Sequence, residues 1–430
     1  MMNRRKFLNS LLWAGGAAGL PLANHPLLAQ TPFNDKFLIV LQLDGGWDVT
    51  AFCDPKMNVA GEQEISWWSR SDETREVGNL SYAPFASNQQ FFEKYYQDML
   101  VINGVDAQTN SHTVGVVHNW SGRNSVGYPS ITSLYATSKA PELPMAYLNF
   151  GGFGNTERLI RSTRINDLDG LRMVLFPNEF VFDDSLSFQL PEELQRIKQY
   201  QRQSIERKLQ QSGVPAGNRD NRQYYYEAVL RAEGLKEFAN LLPADENIQP
   251  YRYPIRNFTS TLHQQIQVAL LAFSSGVSVA ADLFEGAYDT HANNDFEQDA
   301  MLRNSLDAID FLWTSAEEMG LADRIVMLIG SDFGRTPYYN SQEGKDHWPI
   351  GSYIVMEKNA GYTNRVMGAT DGGHFAYRVN PQDGTPDPIE GVTINPDHVH
   401  LALRKHLGIH NNGITNLFPF NNTEDFAFLS

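Results

Sequence analysis

The sequence contains one cysteine, Cys53, so it can form neither an intrachain disulfide nor a thiolate zinc cluster. Any metal site must therefore draw on Asp, Glu, His and Asn. A basic excess is also missing: 34 Lys and Arg stand against 50 Asp and Glu, a formal charge of -16. That balance excludes nucleic acid as a partner, which needs a basic face, and gives no sign of a membrane-surface partner. Beyond the N-terminal segment no apolar run is long enough to span a bilayer, and no internal repeat or low-complexity tract is evident. What remains is an ordinary soluble composition, 42% hydrophobic and 20% charged, over 430 residues. That length suits two domains or one α/β unit with insertions.

The N-terminus has a charged segment, Asn3-Arg4-Arg5-Lys6-Phe7-Leu8. An Ala/Gly-rich apolar run from Leu11 to Ala23 follows, then Leu27-Leu28-Ala29-Gln30. This reads as an export signal over residues 1–29. Its paired arginines resemble the twin-arginine type, which places the mature protein in the periplasm or outside the cell. The structural alternative is an amphipathic first helix or a retained anchor.

Residues 30–430 read as one α/β domain with a doubly wound, mostly parallel central sheet flanked by helices. A mainly helical cap or insertion covers about 180–258. Phe37–Leu43 is an apolar run that ends in Asp44-Gly45-Gly46-Trp47-Asp48, a predicted strand and a turn. Met99–Val105 predicts a second strand. It leads to Ser111-His112-Thr113, a helix from Val114 to Trp120, and Ser121-Gly122-Arg123. A hydroxyl-rich turn at a helix start suits an anion or an N-cap equally. Pro191 to about Gln211 and Asn221–Leu242 read as solvated helices of the insertion.

Thr259–Ala281 reads as a helix before Asp289-Thr290-His291, two metal-ligand types two residues apart on a loop. Asp295–Met319 is an amphipathic helix. Arg324–Gly330 predicts a buried strand that delivers Ser331-Asp332-Phe333-Gly334-Arg335, followed by Lys345-Asp346-His347-Trp348-Pro349 and a strand over Ile350–Met356. In the terminal helix Pro396–Leu407, His398, His400 and His406 share no face and read as surface residues.

Asp44, Asp289, His291, Asp332, Asp346 and His347 thus all lie at turns next to predicted strands, and an open α/β sheet collects such turns at one edge. Oxygen and nitrogen donors without sulfur suit one or two Zn²⁺, Mn²⁺, Mg²⁺ or Ca²⁺ ions. Two ions would stabilise an in-line displacement at phosphorus or sulfur.

In this order the motifs resemble the alkaline phosphatase superfamily, which includes sulfatases and cofactor-independent phosphoglycerate mutases. The export signal, Asp44-Gly45-Gly46-Trp47-Asp48, Ser331–Pro337, Asp346-His347-Trp348-Pro349 and Gly372-Gly373 are similar, more closely, to the bacterial secreted family called domain of unknown function 1501. The match runs from about Lys36 to Ile409. The resemblance implies one metal site from Asp289, His291 and His347, a second from Asp44 and Asp332, and a nucleophile at Ser111, His112 or Thr113. Two departures stand out. Phe333 occupies the place where the superfamily commonly has a His ligand, and spacing from Ser121-Gly122-Arg123 puts His112 in the nucleophile position. The Cys-x-Pro-x-Arg signature of sulfatases is absent.

The function implied is a secreted metal-dependent hydrolase of small-molecule or polymer-linked phosphate or sulfate esters, with Arg123 or Arg335 clamping the anion. The alternative is a non-catalytic secreted protein of the same fold that binds an envelope glycan or a protein partner.

Overall fold

The computed structural model describes residues 33–176, 178–180, 183–211, 235–242, 251–253, 258–420 and 423–430. The expected export signal and much of the expected insertion lie outside these residues. At the centre is an eight-stranded mixed sheet built from β1 (Phe37–Leu43), β2 (Met99–Asp106), β3 (Tyr147–Asn149), β4 (Ser162–Arg164), β5 (Ala280–Glu285), β6 (Ile325–Gly330), β9 (Ile350–Glu357) and β10 (Arg365–Met367). Between β6 and β9 a two-stranded ribbon pairs β7 (Gly334–Arg335) with β8 (His347–Trp348). The spatial order is β10-β2-β9-β6-β1-β5-β3-β4. All neighbours run parallel except at β9, which is antiparallel to both β6 and β2.

The central strands are continuous apolar runs because both faces of the sheet are covered. Every residue of β1 and β6 is buried. The covering helices are α1 (His112–Ser121), α2 (Ile131–Lys139), α4 (Leu262–Ser274), α5 (Asn294–Glu318) and α6 (Pro396–His406). Of these, α2 and α4 pack on β5, α5 lies against α4, and α6 lies against α1. From the insertion, the described residues include the solvated helix α3 (Pro191–Leu209) and a short helix at Leu235–Leu241.

Two expectations change. The apolar stretch Thr259–Ala281 is not one helix: α4 stops at Ser274, a turn with Gly276 at φ 70° follows, and Ala280 already opens β5. Two of the histidines of α6 are not surface residues, for His398 and His400 are buried, while His406 is half-buried. His398 accepts a bond from the Asn395 amide in a capping box and contacts Glu424 at 3.0 Å, while His400 Nε2 lies 2.8 Å from the Asn119 carbonyl. Several sides of α6 are covered, by α1 and by the C-terminal segment carrying Phe426, so a face-by-face argument for exposure does not hold there.

At the far end of β9, Glu357 ties three segments together. It receives Lys36 at 2.8 Å, the Tyr362 hydroxyl at 2.6 Å and His406 at 2.6 Å. Burial raises its pKa, but the bonds from His406 and Lys36 outweigh burial and hold the carboxyl at about 2. A carboxyl whose folded pKa is depressed adds stability above its unfolded pKa and loses it as the pH falls to the folded value. Glu357→Gln is therefore expected to lower the free energy of unfolding at neutral pH by about 3 kcal/mol or a little more, at roughly 1.4 kcal/mol per pH unit. In denaturant titrations the gap to the parent should close between about pH 4.5 and 2.

Candidate metal centre

Parallel strands release their following turns at one edge, and β1, β2, β5 and β6 all end there. The turn after β1 carries Asp44, the segment after β2 leads to His112 at the start of α1, and the loop after β5 holds Asp289 and His291. Asp332 follows β6. β9 is antiparallel, so its beginning lies at this same edge, and that brings in His347 from β8.

Three imidazoles and a carboxylate face one point. His112 Nε2 and His291 Nε2 each lie 3.0 Å from His347 Nε2. Asp289 offers its oxygens to all three, at 3.6 Å to His112, 3.1 Å to His291 and 3.3 Å to His347. The donor atoms of His112, Asp289 and His347 lie within 4.8 Å of one another.

The other ring nitrogens fix the tautomers. His112 Nδ1 bonds Asp332 Oδ2, His291 Nδ1 bonds Asp346 Oδ1 at 2.7 Å, and His347 Nδ1 bonds the Asn110 carbonyl at 2.9 Å. A carbonyl only accepts, and an ionised carboxylate only accepts. Each Nδ1 therefore carries a proton, and a ring in its neutral form turns an Nε2 lone pair toward the common point. Lone pairs 3.0 Å apart repel one another unless a proton or a cation lies between them. Carboxylate or carbonyl partners behind the histidines are also how metal-binding imidazoles are oriented, so this donor set fits a bound ion. The bond to Asp289, then that to Asp332, pushes His112 up to about 9. Asp289 is held well below the usual range, burial notwithstanding, by His112 and Arg335.

Local sequence explains the alignment. Gly115 lets α1 approach the Asp332 turn so closely that a Cβ there would sit 2.5 Å from the Asp332 carbonyl oxygen. Gly45, at φ 115°, lets the β1 turn pass Asp289, where a Cβ would come within 2.4 Å of the Asp289 amide nitrogen. Phe333 is buried with its ring centroid 4.7 Å from both His112 and His347, packing the two rings in place.

The residues expected from sequence fall into three groups. Asp289, His291 and His347 come together, and His112 joins them as a fourth donor. Asp332 does not face the common point with them. Its Oδ1 accepts from the Gly45 amide at 3.1 Å and the Ser331 hydroxyl at 2.8 Å, and its Oδ2 is taken by His112, so it serves as an orienting group. Asp44 lies beside Asp332, and its pKa is raised to about 6 by burial and then by Asp332. Ser111 and Thr113 flank His112 and are exposed, and the Ser111 side chain makes no capping bond.

The expected clamps are elsewhere. Arg123 lies past the other end of α1, roughly 15 Å away at about 1.5 Å per residue, with its guanidinium 4.9 Å from the centre of the Tyr128 ring. Arg335 is fully buried and donates to the carbonyls of Gly45, Gly46 and Lys345 and to Asp289. It braces the loops and presents no free fork to a ligand.

Groups the motifs did not reveal include the Asn110 carbonyl and the buried pair Lys345–Asp48, at 2.8 Å. Lys345 also reaches the Thr50 hydroxyl at 2.9 Å, and Asp48 accepts from Asn294 at 2.9 Å. Burial opposes the charge on Asp48, but Lys345 holds its pKa down. Removing one member of a buried pair leaves the other uncompensated. Lys345→Met is thus expected to cost about 3–5 kcal/mol in chemical denaturation, and the double variant with Asp48→Asn should regain part of that loss.

Solved structures give distant likenesses. A glycosaminoglycan-metabolism protein of Bacteroides thetaiotaomicron is 8% identical, covering 92% of this chain and 77% of that one, with a TM-score of 0.41. A sulfatase from Pseudoalteromonas sp. is 12% identical, covering 99% and 75%, at 0.39. TAB5 alkaline phosphatase with magnesium bound is 12% identical, covering 86% and 99%, at 0.32. Among curated proteins no sequence matches this chain. The family model described as protein of unknown function, DUF1501, matches residues 35–385, and the chain belongs to that family.

Proposed function

We propose that the chain is a metal-dependent hydrolase of phosphate or sulfate esters, acting outside the cytoplasm. The observation that carries this reading is that donor atoms of His112, Asp289 and His347 lie within 4.8 Å of one another, with His291 Nε2 3.0 Å from His347 Nε2 and each Nδ1 held by an acceptor. His112, His291, His347 and Asp289 would hold the ion. Three nitrogen donors favour Zn²⁺ or another borderline transition ion over Mg²⁺ or Ca²⁺, which prefer oxygen. When bound, such an ion polarises an ester oxygen and lowers the pKa of water.

The chain's own residues supply the rest. Asp332 and Asp346 keep His112 and His291 in the donor tautomer, and Arg335 fixes Asp289. Asp44 is a carboxyl in reach of the site's charges and outside the donor set. Gln42 Nε2 holds its Oδ1 at 3.2 Å, and Asn119 in turn orients the Gln42 amide at 2.7 Å. At about 6 its pKa lies close to neutrality, where a carboxyl both takes and returns a proton. It would accept the proton of the attacking water as the new bond to phosphorus or sulfur forms, while the departing alkoxide takes its proton from solvent as the ester bond breaks. Export rests on the segment from Asn3 to Gln30.

Elemental analysis of the exported protein should find a divalent transition ion, and a chelator should abolish ester turnover. Asp289→Ala should abolish ion uptake, and Asp332→Asn should weaken it by about 10–100-fold. Asp44→Asn should keep the ion and lower kcat by about 10²–10⁴. A protein that takes up no divalent ion, or an Asp289→Ala variant that hydrolyses ester panels normally, would sink this reading. Full turnover by Ser111→Ala and Thr113→Val would assign the attack to water.

A further inference from the structure

We infer that the far end of α1, away from the metal centre, carries a second anion site, where the buried guanidinium of Arg404 takes a sulfate or phosphate group. Neither Arg404 nor its neighbours Arg123, Tyr128, His400 and Phe420 take part in the chemistry proposed above.

Arg404 lies on α6 and is 3% exposed. A buried cation ordinarily sits against a carboxylate, and in this acidic chain Arg70, Arg75, Arg303 and Arg335 each have one. Among the described residues no carboxylate pairs with Arg404. Asn421 and Asn422, which follow Phe420 and lie outside the described residues, bring no charge. The acids just beyond them are engaged, Glu424 with His398 at 3.0 Å and Asp425 with Lys405 at 2.6 Å. What Arg404 has is the Phe418 carbonyl on Nη1 at 2.6 Å and the centre of the Phe420 ring 4.0 Å from its guanidinium carbon. Its Nε is buried and has no partner among the described residues. Burial lowers its pKa to about 10, which leaves it charged at neutral pH. A charged planar fork with donors to spare is the group that recognises sulfate and phosphate oxygens best.

Phe420 gathers the rest of the cluster. Its ring stacks on that of Tyr128 with centroids 6.0 Å apart, the Tyr128 hydroxyl donates to the Pro419 carbonyl, and the Arg123 guanidinium lies 4.9 Å from the centre of the Tyr128 ring. Arg123, Tyr128 and Phe420 are half-buried, so the cluster reaches the surface and holds a second guanidinium there. Gly122, at φ 72°, closes the Ser121-Gly122-Arg123 turn onto α6: a Cβ there would sit 2.7 Å from Phe420 Cζ and 2.9 Å from His400 Cβ. His400 lies one turn before Arg404 on the same face of α6. It donates from Nε2 to the Asn119 carbonyl, which leaves Nδ1 a buried lone pair with no partner among the described residues. An unmatched acceptor beside unmatched donors suits an oxyanion that carries a proton or a water, as hydrogen phosphate and hydrated sulfate do. A carboxylate side chain would satisfy only the donors.

The test titrates sodium sulfate into the full-length, chelator-treated protein by calorimetry, with sodium chloride holding the ionic strength constant. One sulfate per chain is expected. Arg404→Gln should weaken it at least about tenfold, and Arg123→Gln, at the surface, by about two- to fivefold. Asp289→Ala should leave the sulfate affinity unchanged, so the site and the metal centre fail on different measurements. Dextran sulfate is titrated in the same way. Half-saturation at a lower concentration of sulfate groups than the free ion needs supports a site for a polymer-borne group, whereas binding of the free ion alone supports a site for a small oxyanion. The absence of stoichiometric sulfate binding, or an affinity that Arg404→Gln leaves intact, overturns the site. Should Arg404→Gln not fold, Arg123→Gln decides, and an unchanged affinity there overturns it equally.

Discussion

The buried guanidinium of Arg335 is the constraint on which the edge of this sheet depends. It has no water to solvate it, so its donors must be met by protein. They are met by the carbonyls of Gly45 and Gly46 after β1, the carbonyl of Lys345 before β8, and the carboxylate of Asp289 after β5. An arginine can do this because its planar fork reaches several acceptors at fixed angles, which a lysine cannot. The consequence is that three loops from distant parts of the chain are locked to one another, and Asp289 is aimed by a bond it cannot lose cheaply. The neighbouring pair Lys345–Asp48 repeats the device one layer deeper, joining the β1 turn to the segment that carries Asp346 and His347.

Rigid loops alone would not create a site. What they create here is an arrangement that is unfavourable until something positive enters it. Each imidazole is held from behind at Nδ1, and Phe333 packs against two of the rings, so they cannot turn their lone pairs away from one another. A structural ion-pair network would pair each acceptor with a donor. This one turns three imidazole acceptors and a carboxylate toward the same place, with the proton on His112 as the available internal relief. Such frustration persists only where the surrounding fold over-determines it, and it concentrates at functional sites.

Much of this was legible in the sequence, for a definite reason. Apolar runs ending in Asp44 and Asp332 announce strands and their exits, and the geometry of parallel sheets then collects those exits. The long helix Asn294–Glu318 and the strand Ile350–Glu357 were equally plain from periodicity and length. Other features depended on contacts that no local pattern encodes. The stretch Ala272–Ala281 is uncharged and made mostly of small residues, so it suits a helix or a buried strand, and the change falls at the turn around Gly276. His112 entered the reading as an occupant of a nucleophile position because spacing along the chain was the guide. Its place among the donors follows from Gly115, which brings α1 against the Asp332 turn. Arg335 looked like an anion clamp because arginine beside a strand-end Asp often is one, and nothing in its neighbours in sequence foretells three carbonyl partners.

The single antiparallel strand completes the logic. Were β9 parallel to β6, the chain would have to cross back before starting it, and the residues preceding it would lie at the opposite edge from Asp289. Because β9 runs the other way, a connection of modest length holds both ends of the segment Ser331–Pro349 at the same edge. It can therefore deliver Asp332 at its start and His347 near its end, with the β7–β8 pairing of Gly334–Arg335 against His347–Trp348 setting the distance between them. The reversal in the sheet is thus what allows one continuous stretch to supply a donor, its partner's orienting carboxylate, and the arginine that fixes the remaining ligand. A helix inserted between β6 and β9 would keep the sheet and lose the centre.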